Sequence, residues 1–167
     1  MPFARKPPSL KARALQALAL REHSRSELRQ KLLRPPRLAA QPEDGADALS
    51  RAAEVDALLD ELQAQGLLNE DRFIESRVHA RSARFGNRRI QAELAQHGLE
   101  LDAQTAQSLR HSELERARQV WVRRFGAQEA ERPPQPADIA RQMRFLAARG
   151  FSPEVIRRVI KGSRHDD

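Results

Sequence analysis

The stretch Gly66-Leu67-Leu68-Asn69-Glu70-Asp71-Arg72-Phe73 marks the point where one helix stops and the next begins. A glycine can take the left-handed conformation that closes a helix, and the apolar residue after it folds back on the last turn. Asn69 is a good N-cap, and Glu70 and Asp71 complement the positive end of the following helix. The same grammar recurs downstream, where Gly98 is followed by Leu99 and Gly150 by Phe151, each closing an amphipathic run. A chain punctuated in this way is a row of short helices joined by tight turns.

Start signals match the stops. Ser24 with Glu27 and Ser112 with Glu115 have capping-box spacing, Asn69, Asn87, Asp102 and Ser152 are N-cap types, and Pro153 suits a first helical position after Ser152. These signals predict nine helices, at roughly 10–22, 24–33, 51–65, 70–84, 88–97, 103–110, 113–125, 137–149 and 153–161. Apolar spacing supports them: Val55, Leu58, Leu59 and Leu62 share one face, as do Leu114, Ala117, Trp121 and Phe125. At Trp121 this spacing indicates core packing rather than base stacking.

The segments repeat imperfectly. Arg84-Phe85-Gly86 recurs as Arg124-Phe125-Gly126, each expected to end a first helix, and Leu94-(x)3-Gly98-Leu99 recurs as Leu146-(x)3-Gly150-Phe151. Leu28 and Leu32 match Ile90 and Leu94 when counted from their helix starts. The expected fold is all-α, with three tandem three-helix modules over residues 9–67, 68–110 and 111–162 forming an elongated, curved helical array. The first module carries a Pro-rich, partly acidic insertion from Arg34 to Ser50, and the third a loop from Ala127 to Pro136. Both are expected to be loops.

Composition narrows the chemistry. Of the 167 residues 40% are hydrophobic but only 4% aromatic, so the core must be Leu, Ala, Val and Ile, and no aromatic platform for single-stranded nucleic acid is expected. The absence of Cys removes disulfides, thiolate catalysis and Cys-based zinc sites. The five histidines never fall at two-turn ligand spacing, and no Gly-rich stretch precedes a Lys-Ser or Lys-Thr pair. Carboxylate pairs such as Asp60-Glu61 read as helix-end or solvated groups. A non-enzyme without cofactor or metal is expected. The N-terminal apolar run from Ala14 to Leu20 is interrupted by Gln16 and too short to span a bilayer, so the expectation is a soluble, cytoplasmic protein with no membrane partner.

The net charge of +7 points to polyanionic partners, either nucleic acid or acidic protein surface. Almost all the positive charge is Arg, which suits bidentate pairing with carboxylate or phosphate. It is segregated: through residue 33 there are eight Lys or Arg against two Asp or Glu, over 34–65 three against seven, and from 132 eight against four. That alternation suits an extended contact better than one pocket. In the fourth helix Ile74, Val78 and Phe85 form the apolar seam, with Arg81 in its middle and Arg77 at its edge. A charge there must snorkel, pair with a carboxylate or reach a partner. Arg88 and Arg89 open the fifth helix, where they meet either an anion or solvent.

Taken together these residues resemble the RecX family. The quoted stretch 66–73, followed by Arg81, Gly86, Arg89-Ile90, Leu94 and Gly98-Leu99, is similar to that family's acidic turn, Arg-Phe, basic helix, aromatic-Gly break, Arg-Ile, Leu and closing Gly. Ser24-Arg25-Ser26-Glu27-Leu28 with Lys31-Leu32 resembles its first motif, and Arg144-Phe145-Leu146 with Arg149-Gly150-Phe151-Ser152 its third. The sequence departs from the pattern at Arg77, where an aromatic is usual, at Ile74, where Ala is usual, and at the insertion 34–50, which replaces a short Gly turn.

The resemblance implies a regulator lying in the groove of the RecA–single-stranded-DNA filament, inhibiting its growth, ATP hydrolysis, strand exchange and co-protease activity. Arginines would bridge acidic RecA surface and DNA phosphate. Arg81 and Arg89 are the first choices, followed by Arg84, Arg88, Arg123, Arg124, Arg141, Arg144 and Arg149. Weak, salt-dependent nucleic-acid binding and a monomeric state go with this reading. The alternatives are a helix-turn-helix-like basic protein binding DNA directly, and a helical adaptor that binds only protein.

Overall fold

The structure, a computed structural model, describes residues 8–34, 45–131 and 134–162. Among them it has eight helices and no strand: α1 (Leu10–Leu20), α2 (Arg25–Leu33), α3 (Gly45–Ala64), α4 (Glu70–Ser82), α5 (Asn87–Ala95), α6 (Ala103–Glu131), α7 (Pro136–Ala148) and α8 (Pro153–Gly162). None of these helices is long and apolar enough to cross a membrane. The chain divides into two compact units, with the division between Phe73 and Ile74, inside α4.

The three glycine stops behave alike. Gly66, Gly98 and Gly150 have φ of 67°, 73° and 82°. In each case the next residue donates its N–H to the carbonyl five residues back: Leu67 to Leu62 at 2.9 Å, Leu99 to Leu94 at 3.1 Å and Phe151 to Leu146 at 3.3 Å. The starts are capped as their residue types suggest at four places. Ser24 accepts from Glu27 N, Asn69 from Arg72 N, Asp102 from Thr105 N and Ser152 from Val155 N.

Two expectations are corrected. The predicted break near residues 111–112 does not occur, and α6 runs through it as one helix of 29 residues. Ser112 is not a cap: its hydroxyl donates back to the carbonyls of Ser108 and Leu109, the usual way a helical Ser is satisfied. Nor does Arg124-Phe125-Gly126 end a helix. Phe125 is buried and meets the Phe145 ring edge-on at 5.1 Å, which fixes the helical register through Gly126 despite its cost of about 1 kcal/mol. The two loops are accordingly shorter. Residues 45–50 are already in α3, 127–131 are still in α6, and Pro136 begins α7, with Asp138 accepting the N–H of Gln135. The remainder of the insertion, 35–44, lies outside the described residues, as do 132 and 133.

In the first unit α1, α2 and α3 bury Ala14, Ala17, Leu28, Leu32, Val55, Leu59, Leu62 and Leu68 in one core. Its charges pair across the same helices. Arg29 holds Asp56 through two bonds of 2.7 and 2.9 Å, Arg25 meets Asp60 at 2.8 Å and Lys11 meets Glu61 at 2.7 Å. The alternating charge of the sequence is therefore largely internal here. Residues 8–73 contain ten Lys or Arg against eleven Asp or Glu, whereas 74–162 contain seventeen against ten. The basic surplus belongs to the second unit. There α6, α7 and α8 enclose Ala117, Val120, Trp121, Phe125, Leu146, Phe151, Ile156, Val159 and Ile160. Trp121 is a core residue, and its indole N–H donates to Gln142 Oε1 at 3.1 Å.

Candidate functional site

In the second unit, two backbone turns meet at a pair of glycines. Gly86, between α4 and α5, donates its N–H to Arg149 O at 2.9 Å, and Arg88 N–H donates to Gly150 O at 3.2 Å. A Cβ at Gly86 would stand 2.3 Å from Gly150 O and from Phe151 N, so only glycine admits this approach.

Helix α6 holds the junction. The Arg116 guanidinium, half-buried, donates to the carbonyls of Ser82 (3.0 Å), Phe85 (2.9 Å) and Leu109 (3.0 Å) and to Asn87 Oδ1. Burial pushes its pKa down while the charge of Glu113 pushes it up, and an arginine in this setting stays protonated. Glu113 is buried, accepting the backbone N–H of Asn87 at 3.0 Å on one oxygen and the Ser152 hydroxyl at 3.3 Å on the other. Asn87, expected as an N-cap, is instead the first residue of α5, and the cap position, Gly86, has no side chain to serve.

On this frame the arginines gather round phenylalanines. The guanidinium carbons of Arg81, Arg84, Arg89 and Arg149 lie 5.4, 5.8, 4.5 and 5.9 Å from the centre of the Phe85 ring. Arg149 also lies 4.5 Å from the Phe145 ring, which abuts Phe125, and Arg124 and Arg141 lie 5.6 and 5.7 Å from Phe125. The result is a belt of six arginines on three rings. Each contact contributes about 0.5–1 kcal/mol where exposed and limits where the cation can point.

The predicted residues divide into two groups. Arg81 pairs with Glu93 at 2.9 Å, and Arg89 meets the same carboxylate at 3.6 Å and Ala148 O at 3.4 Å. Arg149 donates to Arg84 O at 3.3 Å, and Arg141 faces Asp138 at 3.7 Å. Arg84, Arg88, Arg123, Arg124 and Arg144 are exposed, with no carboxylate partner among the described residues. Arg88, Arg123 and Arg144 stand outside the belt. The reading from sequence did not include Arg116 and Glu113, whose partners at the junction lie 26 to 39 residues away, and it placed Phe85, Phe125 and Phe145 in no site.

Protein-family models of RecX match two segments, the second three-helix domain at residues 69–106 and the third at 111–160. The regulatory protein RecX of Leptothrix cholodnii is 46% identical over 161 residues, covering 95% of this chain and 91% of that protein. The chain belongs to the RecX family. The RecX of Ralstonia nicotianae is 45% identical, covering 98% of this chain and 93% of that protein. At the level of fold, the chain is similar to the crystal structure of RecX from Lactobacillus salivarius, with a TM-score of 0.61 at 18% identity over 93% of this chain and 94% of that one. RecX proteins are regulators, and this chain is accordingly a regulatory protein. Both family segments end or begin inside α6, so one uninterrupted helix carries the end of the second RecX domain and the start of the third.

Proposed function

We propose that this chain binds the RecA–single-stranded-DNA filament as a cytoplasmic monomer and inhibits its growth, ATP hydrolysis, strand exchange and co-protease activity. The observation that carries the reading is the arginine belt on Phe85, Phe145 and Phe125, with exposed arginines that have no carboxylate of their own among the described residues. Arginines fastened by carboxylates and rings are pre-organised, so little side-chain entropy is lost when a partner arrives. Exposed arginines beside them supply the attraction to carboxylate or phosphate. In this reading Arg84, Arg88, Arg123, Arg124 and Arg144 make the contacts, and Arg81, Arg89, Arg141 and Arg149 hold the surface in shape.

The modules follow the same plan, over 9–67, 68–110 and 111–162, and the family segments at 69–106 and 111–160 support the last two. Fusing the last two through α6 gives a stiff element that would resist the subunit rearrangements of a working filament. Nucleic-acid affinity on its own is weak and electrostatic, because arginines lie over the rings of Phe85 and Phe145, where a base would have to stack.

The test is titration of the protein into RecA-coated single-stranded DNA while ATP hydrolysis is followed. Loss of turnover well below the concentration that binds naked DNA is expected. Equal potency on naked DNA would favour direct DNA binding, and no effect on either would leave a protein adaptor.

A further inference from the structure

Beside the belt, and sharing Arg89 with it, lies a groove of 520 Å³. One wall is the outer face of α5, where Arg88, Ala92 and Gln96 follow one another at four-residue spacing and so lie in one row; the other wall is the end of α7, with Ala147, Ala148 and Gly150. All except the half-buried Gly150 are exposed. The floor is thus made of methyl groups and backbone, and a neighbouring chain can approach closely along it.

The charge of the groove is not balanced. Glu93 also lines it, but its side chain is only 19% exposed and its carboxylate is held by Arg81 and Arg89. Arg88 stands at the rim with its backbone N–H bound to Gly150 O and its guanidinium without a carboxylate among the described residues. The lining therefore offers one uncompensated cation above a strip of alanines. A phosphate backbone would satisfy Arg88 but would lose water against the methyl groups of Ala92, Ala147 and Ala148, which offer it no hydrogen bond. A polypeptide satisfies both, through a carboxylate for Arg88 and a small aliphatic side chain for the floor.

We infer that this groove receives a polypeptide segment of a filament subunit in which a carboxylate stands next to a small aliphatic residue. The inference rests on the filament reading above and adds to it a protein-facing surface separate from the arginines that meet phosphate. Arg89, common to belt and groove, places the two surfaces side by side.

Filling the groove tests this without disturbing the core, since Ala92 and Ala148 are exposed helical positions. Ala92→Trp and Ala148→Trp are each expected to raise the concentration needed for half-inhibition of ATP hydrolysis on RecA-coated single-stranded DNA by about tenfold or more, with the affinity for naked DNA unchanged. Arg88→Glu should raise the half-inhibitory concentration likewise, as loss of a desolvated charge contact typically does. Circular dichroism on each variant confirms an intact fold. Wild-type potency in both Trp variants would overturn the inference alone, whereas a wild-type protein inert on the filament would overturn it together with the filament reading. An equal loss of affinity for naked DNA in the Trp variants would assign the groove to nucleic acid, and a wild-type dimer dissolved by Ala92→Trp would assign it to a second copy; either result overturns the inference.

Discussion

Glu113 on α6 accepts the backbone N–H of Asn87, the first residue of α5, at 3.0 Å. A carboxylate from a distant helix satisfies a first-turn N–H here, as a cap side chain does at other helix starts, because the cap residue is Gly86 and must remain glycine for the approach of Gly150. The same carboxylate also takes the Ser152 hydroxyl, so one buried group secures two turns.

Glu113→Ala leaves the Asn87 N–H buried with no acceptor and is expected to destabilise the protein by about 1–3 kcal/mol, with Glu113→Gln costing less because an amide oxygen can still accept. Urea unfolding followed by circular dichroism reads the difference. Equal stability of the Ala variant and the wild type would mean that the contact carries no weight.

Gly86→Ala and Gly98→Ala separate two reasons for a glycine. Gly98 has φ of 73° and open space around its would-be Cβ, so alanine there costs about 1–2 kcal/mol of left-handed backbone strain. Gly86 has an ordinary φ of −78°, yet its Cβ would strike backbone atoms at 2.3 Å. Overpacking typically costs about 1–3 kcal/mol, and a clash with backbone lies at the upper end or beyond. Gly86→Ala should therefore be the more destabilising in a thermal melt, and it should also blunt filament inhibition, because Arg84, Phe85, Arg88 and Arg89 are carried by that turn.

In the first unit His23 is buried and hydrogen-bonded to Glu27 at 3.0 Å. Burial, with the neighbouring charge of Arg21, holds its pKa below the usual 6.5, while Glu27 opposes the shift. The folded state thus favours the neutral ring, and the unfolded chain binds the proton more readily. Stability from this residue is complete above about pH 6.5 and declines as the pH falls through that value towards the lowered folded pKa. Urea midpoints between pH 8 and pH 5 should fall more steeply for the wild type than for His23→Gln. Parallel pH curves would remove His23 as the source.

Arg84→Glu combined with Arg144→Glu reverses two exposed charges without breaking an ion pair among the described residues. Surface changes of this kind alter stability by less than about 0.5 kcal/mol. Inhibition of RecA-driven ATP hydrolysis is expected to weaken at least tenfold, with a shallower dependence on salt. Arg81→Ala should weaken it less, since Glu93 keeps Arg89 and the ring keeps three cations. The reverse order of effect would return Arg81 to the contact surface.

Helix content, the three glycine stops, four of the caps and the core faces of α3 and α6, with Val55, Leu59, Leu62, Ala117, Trp121 and Phe125 buried, follow from the amino-acid order, because capping, left-handed backbone and apolar spacing are decided within a turn or two of chain. The arginines that gather on the rings could be named from the same order, but not their division into held and exposed. Whether the chain breaks at Ser112 was beyond local signals: a Ser three residues before a Glu reads as a helix start, and only the partners of Glu113 and Arg116, brought from residues 82–87 and 152, make a continuous α6 the better state. The ring of cations on Phe85 has the same origin. Arg84 and Arg149 are 65 residues apart in sequence, and packing of two turns through glycines brings both to one aromatic ring.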